Sequence, residues 1–235
     1  LAPTTHKDAR RAKERSTLPK QRMMFSWADC AAPFGCLNAP GYDGDEQPTG
    51  LPVATRDAGD GLTAENLLES AETGDVEAVV RILESGKVDV NAVDEVDSYS
   101  AIMMAAEAGH LDVVSALRQR GADVEIRDSY GRTPLYAAAV AGHIDVVRYL
   151  VRDAGADASA VDCESRSVLW ASCAVRRVDI AAVLLEDSKA CDLDAKAASG
   201  DSALTFAVKH GHAEVVDFLT QNGALDRNLG RLNVP

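Results

Sequence analysis

The chain repeats itself about every 33 residues, and no other property narrows its possible folds so far. Ala105-Ala106-Glu107-Ala108-Gly109-His110 recurs 33 positions later as Ala138-Ala139-Val140-Ala141-Gly142-His143. A later copy reads Ala207-Val208-Lys209-His210-Gly211-His212, and an earlier one Ser70-Ala71-Glu72-Thr73-Gly74-Asp75. Between them lies a degenerate copy, Ser172-Cys173-Ala174-Val175-Arg176-Arg177. Five copies at about 33–35 residues fill 63–230 without slack. A period of this length marks a stacked array in which neighbouring units supply each other's core.

One copy shows how a unit is built. In Gly131-Arg132-Thr133-Pro134-Leu135-Tyr136-Ala137-Ala138-Ala139, Thr133 suits a helix N-cap, its hydroxyl accepting from a free amide of the first turn. Pro134 follows where a missing N–H costs nothing. Ala138 and Ala139 are small enough for neighbouring helices to approach, and Gly142 suits the left-handed residue that ends the helix. A second helix is predicted over Ile144–Val151, apolar at Val146, Val147, Leu150 and Val151, the period of one helical face. Gly155-Ala156-Asp157 then turns the chain outward. Recurring Asp94, Asp128 and Asp162 fall at turn positions, where a carboxylate accepts from nearby backbone amides.

Thr133-Pro134-Leu135-Tyr136-Ala137-Ala138 resembles the signature of the ankyrin repeat, Thr-Pro-Leu-His-x-Ala. Looser matches are Ser100–Ala105, Ser167–Ser172 and Ser202–Ala207, and the resemblance covers about 170 of 235 residues. It implies an all-α ankyrin-repeat solenoid of helix-turn-helix units with β-turn finger loops, carried by residues 61–230. Repeats are expected at about 63–97, 98–130, 131–164, 165–199 and 200–230, after an extended arm over 1–60 and before a tail over 231–235. Glu65, Glu69 and Glu72 in the first copy and Thr220 in the last are polar where a neighbour would pack, as expected of the two ends of an array.

The resemblance further implies a binding surface made of the finger tips and the concave side of the first helices. Tyr99, Tyr130, Arg132 and Arg166 fall in that set, and Tyr and Arg are residue types that dominate interface energetics. The family's signature His is replaced in every copy, by Leu68, Met103, Tyr136, Trp170 and Thr205. These positions form a stripe that reads either as an apolar groove for a partner segment or as repacking between adjacent helices. Met103, Tyr136 and Trp170 are accordingly candidate partner-binding residues.

Nothing points to catalysis. His110, His143 and His212 occur once per repeat at the Gly-His position, where the resemblance makes them structural, and no nucleophile–base set, phosphate loop or metal-ligand spacing is present. No cofactor or metal is expected, and the chain is not expected to be an enzyme. The net charge of −13 lies in the body of the chain: residues 1–22 carry +5, 23–60 carry −5, and 61–235 carry −13. An acidic body repels phosphate backbones, which disfavours nucleic acid as a partner of the repeats. No apolar run reaches the roughly 18–20 residues needed to span a membrane, leaving only peripheral contact with a membrane complex open. The five cysteines lack zinc-ligand spacing and read as thiols in a reducing compartment, with a Cys30–Cys36 disulfide as the alternative.

Residues 1–60 stand outside the repeat. They are rich in Pro and Gly after position 33, yet carry Phe25, Trp27, Phe34 and Tyr42, four of the chain's eleven aromatics. Aromatic residues in a segment without a core of its own suggest anchors on another surface. The chain begins at Leu1, and residues 1–22, basic and bearing Thr and Ser, resemble the tail of an organellar presequence. The expectation is a protein-binding accessory or assembly subunit of a multi-subunit complex, inside a plastid or mitochondrion rather than the cytoplasm. The repeats would grip one neighbour and the arm another. The alternative is a free adaptor or chaperone that takes client segments transiently on the concave face.

Overall fold

The computed structural model describes residues 62–187 and 191–224. Among them are ten α-helices and no strand: α1 Ala64–Thr73, α2 Val76–Glu84, α3 Ala101–Ala108, α4 Leu111–Gln119, α5 Pro134–Ala141, α6 Ile144–Arg152, α7 Val168–Ala174, α8 Val178–Asp187, α9 Ala203–Lys209 and α10 Ala213–Gln221. They pair as five helix-turn-helix units. The first helices α1, α3, α5, α7 and α9 stack on one another in one layer, and the second helices α2, α4, α6, α8 and α10 stack in another. The all-α solenoid read from the repeat is the observed architecture.

Each first helix begins the same way. Thr63, Ser100, Thr133, Ser167 and Ser202 are extended, and each hydroxyl accepts from the amide three residues on, at 3.1–3.4 Å. Such caps are each worth about 1 kcal/mol. Pro134 sits in the first turn of α5, as its missing N–H allows. The caps also correct one alignment: the amide bonded by Thr63 belongs to Asn66, so Asn66, not Leu68, holds the signature position in the first unit. Leu68 is instead buried two residues further along α1.

The core follows the predicted faces. Ala105, Ala106, Ala138 and Ala139 are fully buried between first helices, and Val113, Val114, Leu117, Val146, Val147 and Leu150 are fully buried on second helices. Each buried Leu or Val contributes about 1.5–3 kcal/mol. Among the described residues no helix exceeds ten residues, a length that is marginal alone in water. The stack, not the helix, is the stable object.

Neighbouring units are tied where the first helix ends. Gly74, Gly109 and Gly142 take the left-handed conformation at φ 79°, 81° and 92°. His110 Nε2 then bonds the Glu72 carbonyl at 3.0 Å, and His143 Nε2 the Glu107 carbonyl at 2.9 Å, each joining a repeat to the last turn of the helix before it. A methyl group on Gly74 or Gly109 would overlap the imidazole of His110 or His143. The histidines at the Gly-His position are therefore structural, as expected, and the glycines are needed for space as well as for conformation. In the degenerate fourth unit Arg177 replaces the histidine, and its guanidinium donates to the carbonyls of Ala141 and Gly142 at 3.4 and 3.2 Å. Arg176 replaces the glycine and holds φ 60°, a conformation costly for a residue with a side chain.

At the last junction, the Nδ1 of His212 is buried and has no hydrogen-bond partner. Burial, then Arg176 and His210 close by, hold its pKa below the ordinary value of 6.5. A depressed folded pKa means that the unfolded chain binds more protons. The neutral imidazole's stabilisation is complete above the unfolded value and declines as pH falls through it toward the folded one.

Three substitutions separate space from conformation. Gly109→Ala should lower unfolding free energy by about 2 kcal/mol or more. Gly211→Ala, where φ is 69° but no atom lies within reach of a Cβ, should cost only about 1 kcal/mol, and Arg176→Gly should raise stability by about 0.5–1 kcal/mol. Urea titrations followed by circular dichroism decide, and equal losses at Gly109 and Gly211 would refute the spatial role. In the same assay, lowering the pH from about 7.5 to about 5 should destabilise the wild type more than His212→Gln; parallel losses would remove His212 from the account.

Candidate protein-binding face

Between the second helix of one unit and the first helix of the next, the chain makes a tight finger. In the second finger, Asp128 N donates to the Arg132 carbonyl at 3.1 Å. The Asp128 side chain closes the turn from within: Oδ1 accepts from the amides of Tyr130 and Arg132 at 2.9 and 2.8 Å, and Oδ2 meets Arg132 Nε at 2.6 Å. The third finger repeats the plan with Asp162, which accepts from the amides of Glu164 and Arg166 and pairs with Arg166 Nε at 2.7 Å. Both aspartates are buried. Burial raises the pKa of Asp128, opposed by the Arg132 guanidinium. The turn role read for Asp94, Asp128 and Asp162 holds in all three.

The first finger differs. Asp94 N pairs with the Tyr99 carbonyl, five residues on rather than four, and Asp94 Oδ1 accepts from the amides of Asp97 and Tyr99 at 3.0 and 2.8 Å. In the fourth finger, Ala197 stands where the others have Asp, its amide donating to the Asp201 carbonyl at 3.0 Å.

Successive fingers are joined through the backbone. Ser129 N donates to the Asp97 carbonyl at 2.9 Å, Cys163 N to the Tyr130 carbonyl at 2.9 Å, and Ala198 N to the Glu164 carbonyl at 2.7 Å. Arg127 adds a bridge, donating to the carbonyls of Gly131 and Val161. The Tyr136 hydroxyl, on α5, donates to Asp162 Oδ2 in the next finger at 3.1 Å. Its burial, with the Asp162 carboxylate alongside, pushes its pKa well above the ordinary phenol value. The tips thus form a connected row rather than independent loops.

The candidate residues occupy different depths of this row. Tyr130 is at a tip, 38% exposed, and the Arg132 guanidinium lies over its ring at 4.7 Å from the centroid. Arg132 and Arg166 are half-buried, the latter 5.8 Å from the ring centroid of Trp170. Tyr99 is buried, its hydroxyl donating to Glu107 Oε2 at 2.6 Å. Met103, Tyr136 and Trp170 are buried too, while Asn66 and Thr205 are half-buried. The stripe at the signature positions is thus packing rather than an open groove, and Met103, Tyr136 and Trp170 lie beneath the surface instead of on it. Phe25, Trp27, Phe34 and Tyr42, like Cys30 and Cys36, lie outside the described residues.

Sequence reading missed two features. Phe206 packs against Trp170 with centroids 4.7 Å apart and rings tilted by 56°, and against His210 at 4.1 Å; it sits one place beyond the signature position, where the period alone does not mark it. Val96, at the tip of the first finger, is 83% exposed, and the signal for it was the extra residue in that finger. Cys173 is a buried free thiol whose pKa burial pushes up to about 12, leaving it an inert packing residue. Among the described residues no cluster of three or more His, Cys, Asp or Glu is placed to hold a metal, and no helix is long and apolar enough to cross a membrane.

Paired short helices stacked into two layers, with a hydrogen-bonded row of fingers along one edge, define a solenoid scaffold. The family model for ankyrin repeats in three copies matches residues 67–162 and 154–229, and the chain belongs to the ankyrin-repeat family. Its repeats are a protein–protein interaction module. Similar proteins include mouse protein phosphatase 1 regulatory subunit 27, 35% identical over 84 residues, 36% of this chain and 54% of that protein. Mouse ankyrin repeat domain-containing protein 40 is 42% identical over 71 residues, 30% of this chain and 19% of that protein. Serine/threonine-protein kinase 12 of Arabidopsis thaliana is 37% identical over 84 residues, 36% of this chain and 18% of the kinase. The chain thus matches about half or less of each relative's length.

Asp162→Ala should be the most damaging single change in the fingers, since it removes the acceptor of two amides, the Arg166 pair and the Tyr136 hydroxyl bond together. A loss of about 3 kcal/mol or more is expected in urea unfolding, against under about 1 kcal/mol for Asp201→Ala, whose partner Lys209 is half-exposed.

Proposed function

We propose that the chain is a non-catalytic accessory or assembly subunit of a larger multi-subunit complex, with the row of fingers holding one neighbour. The single observation that supports this most is the Tyr130–Arg132 pair. An exposed aromatic ring lies beneath a guanidinium that is itself anchored to a buried carboxylate, so both side chains reach the surface already ordered. Ordering in advance reduces the entropy lost on binding, and Tyr and Arg are the residue types at which interface energy concentrates. Arg166 extends the surface along the row, with Tyr99, Met103, Tyr136 and Trp170 supporting it from below. A relative named as a phosphatase regulatory subunit fits a role exerted by holding another protein.

The second contact of the proposed subunit is the arm of residues 1–60, through Phe25, Trp27, Phe34 and Tyr42. Its basic, Thr- and Ser-bearing start is what supports an organelle interior, plastid or mitochondrion, as the place of work.

Two measurements test the reading. Size fractionation of extract from the source cell should find the chain in a particle far larger than its own 24.9 kDa, with cross-links from Lys7, Lys20 and Lys209 to at least two other proteins. Migration as a monomer, with only transient micromolar clients, would replace the subunit by the free adaptor. Tyr130→Ala should weaken capture of the neighbour about tenfold or more without changing the urea midpoint; full capture by that variant would move the contact off the fingers.

A further inference from the structure

The first finger differs from its three counterparts in both length and sequence. The second, third and fourth fingers close over four residues, starting from Asp128, Asp162 and Ala197. The first closes over five, and the residues it spans are Asp94-Glu95-Val96-Asp97-Ser98. At the positions following the first residue the other fingers carry Ser129-Tyr130-Gly131, Cys163-Glu164-Ser165 and Ala198-Ser199-Gly200, none with a second aspartate. The extra residue lifts the tip outward: Glu95 is exposed, Val96 is the most exposed large apolar side chain among the described residues at 83%, and Asp97 and Ser98 are half-exposed.

The order of these side chains is that of a peptide substrate. A carboxylate before the Asp97–Ser98 bond suits a guanidinium-lined pocket, which accepts an aspartate bidentately and rejects a longer or neutral side chain. A second carboxylate three residues earlier, an apolar Val96 between them and a small Ser98 after the bond complete the pattern read by cysteine endopeptidases specific for Asp-x-x-Asp. Exposed loop tips are where such enzymes cut folded proteins. We propose that the Asp97–Ser98 bond is a processing site for an aspartate-specific cysteine endopeptidase. The enzyme's thiolate adds to the Asp97 carbonyl carbon, the C–N bond to Ser98 breaks as its nitrogen takes a proton, and water hydrolyses the thioester to leave a new carboxylate at Asp97.

The finger must open for this. The bonds to be released are Asp94 N to the Tyr99 carbonyl, the amides of Asp97 and Tyr99 to Asp94 Oδ1, and Ser129 N to the Asp97 carbonyl. Three lie within the first finger and the fourth joins it to the second, so the opening is confined to the finger row and leaves the helices stacked. Ser98, left-handed at φ 55°, loses strain when the segment extends. The cut divides the array at a junction. The α1–α2 unit keeps its contacts with α3 and α4, among them the His110 bond to the Glu72 carbonyl and the Asp123 amide to Asn91 Oδ1 at 2.9 Å. In a stack stabilised by nearest neighbours, cutting the backbone at a junction weakens the coupling between the units on either side.

The test is digestion of the folded full chain with a recombinant caspase of Asp-x-x-Asp preference, read by mass spectrometry and N-terminal sequencing. A fragment beginning at Ser98 is expected from the wild type. Asp97→Asn and Asp97→Glu, checked by circular dichroism to be folded, should abolish it, and Asp94→Asn should slow it about tenfold or more. The proposal is overturned if the folded chain stays uncut at that bond after a day with enzyme that cleaves the free peptide 92–101 within minutes. Release of the same fragment from Asp97→Glu at the wild-type rate also overturns it.

Discussion

The stack depends on one small geometric allowance: the missing side chain where the first helix ends in four of the five units. A left-handed residue there turns the chain back toward its second helix, and the same absent Cβ leaves room for a ring or guanidinium from the following repeat. His110 and His143 enter that space and bond the last turn of the preceding helix, satisfying carbonyls that a helix end leaves without partners. Helix termination and repeat-to-repeat adhesion are therefore the same event. No unit of two short helices could bury its apolar faces alone, so the cooperativity of the whole array passes through these junctions.

The fingers solve a related problem at the other end of the unit. A reversal of four or five residues exposes backbone amides that would otherwise need water or a partner. Asp94, Asp128 and Asp162 each satisfy two amides from inside the turn, and the Arg132 and Arg166 partners neutralise the second and third of these carboxylates. A buried carboxylate left alone would be costly, whereas one bonded on both oxygens fixes the turn. That order carries to the surface at the second finger, where the Arg132 that neutralises Asp128 lies across Tyr130, while Arg166 lies toward the buried Trp170. Stability and recognition thus share the same side chains.

Much of this was legible because it repeats. Thr133, Pro134 and Gly142 mark a helix start and end in any context, and the copies at Ser100, Ser167 and Ser202 confirm the register by recurrence. The reading failed where recurrence was weakest. In the first unit no Pro or aromatic marks the signature position, so Leu68 was taken for it when the cap places Asn66 there. The burial of Met103, Tyr136 and Trp170 depends on how closely the first helices approach, which the period of the pattern does not contain. Phe206 was passed over because its partner Trp170 lies 36 residues away in sequence, in the neighbouring unit.

The informative positions are those where a unit departs from its neighbours. A regular repeat needs only to stack, so regularity accounts for the fold and leaves function to the exceptions. Two departures are the largest. One is the fourth unit, where Arg176 holds a left-handed conformation without being glycine and Arg177 reaches two carbonyls in place of a histidine's one. There the change is absorbed, since the longer guanidinium restores the tie between repeats that the imidazole makes elsewhere. The other is the first finger, where an added residue is accommodated without repacking any helix and its effect is confined to the surface. The insertion keeps the finger's internal bonds and its tie to Ser129, yet presents an apolar side chain flanked by carboxylates to solvent.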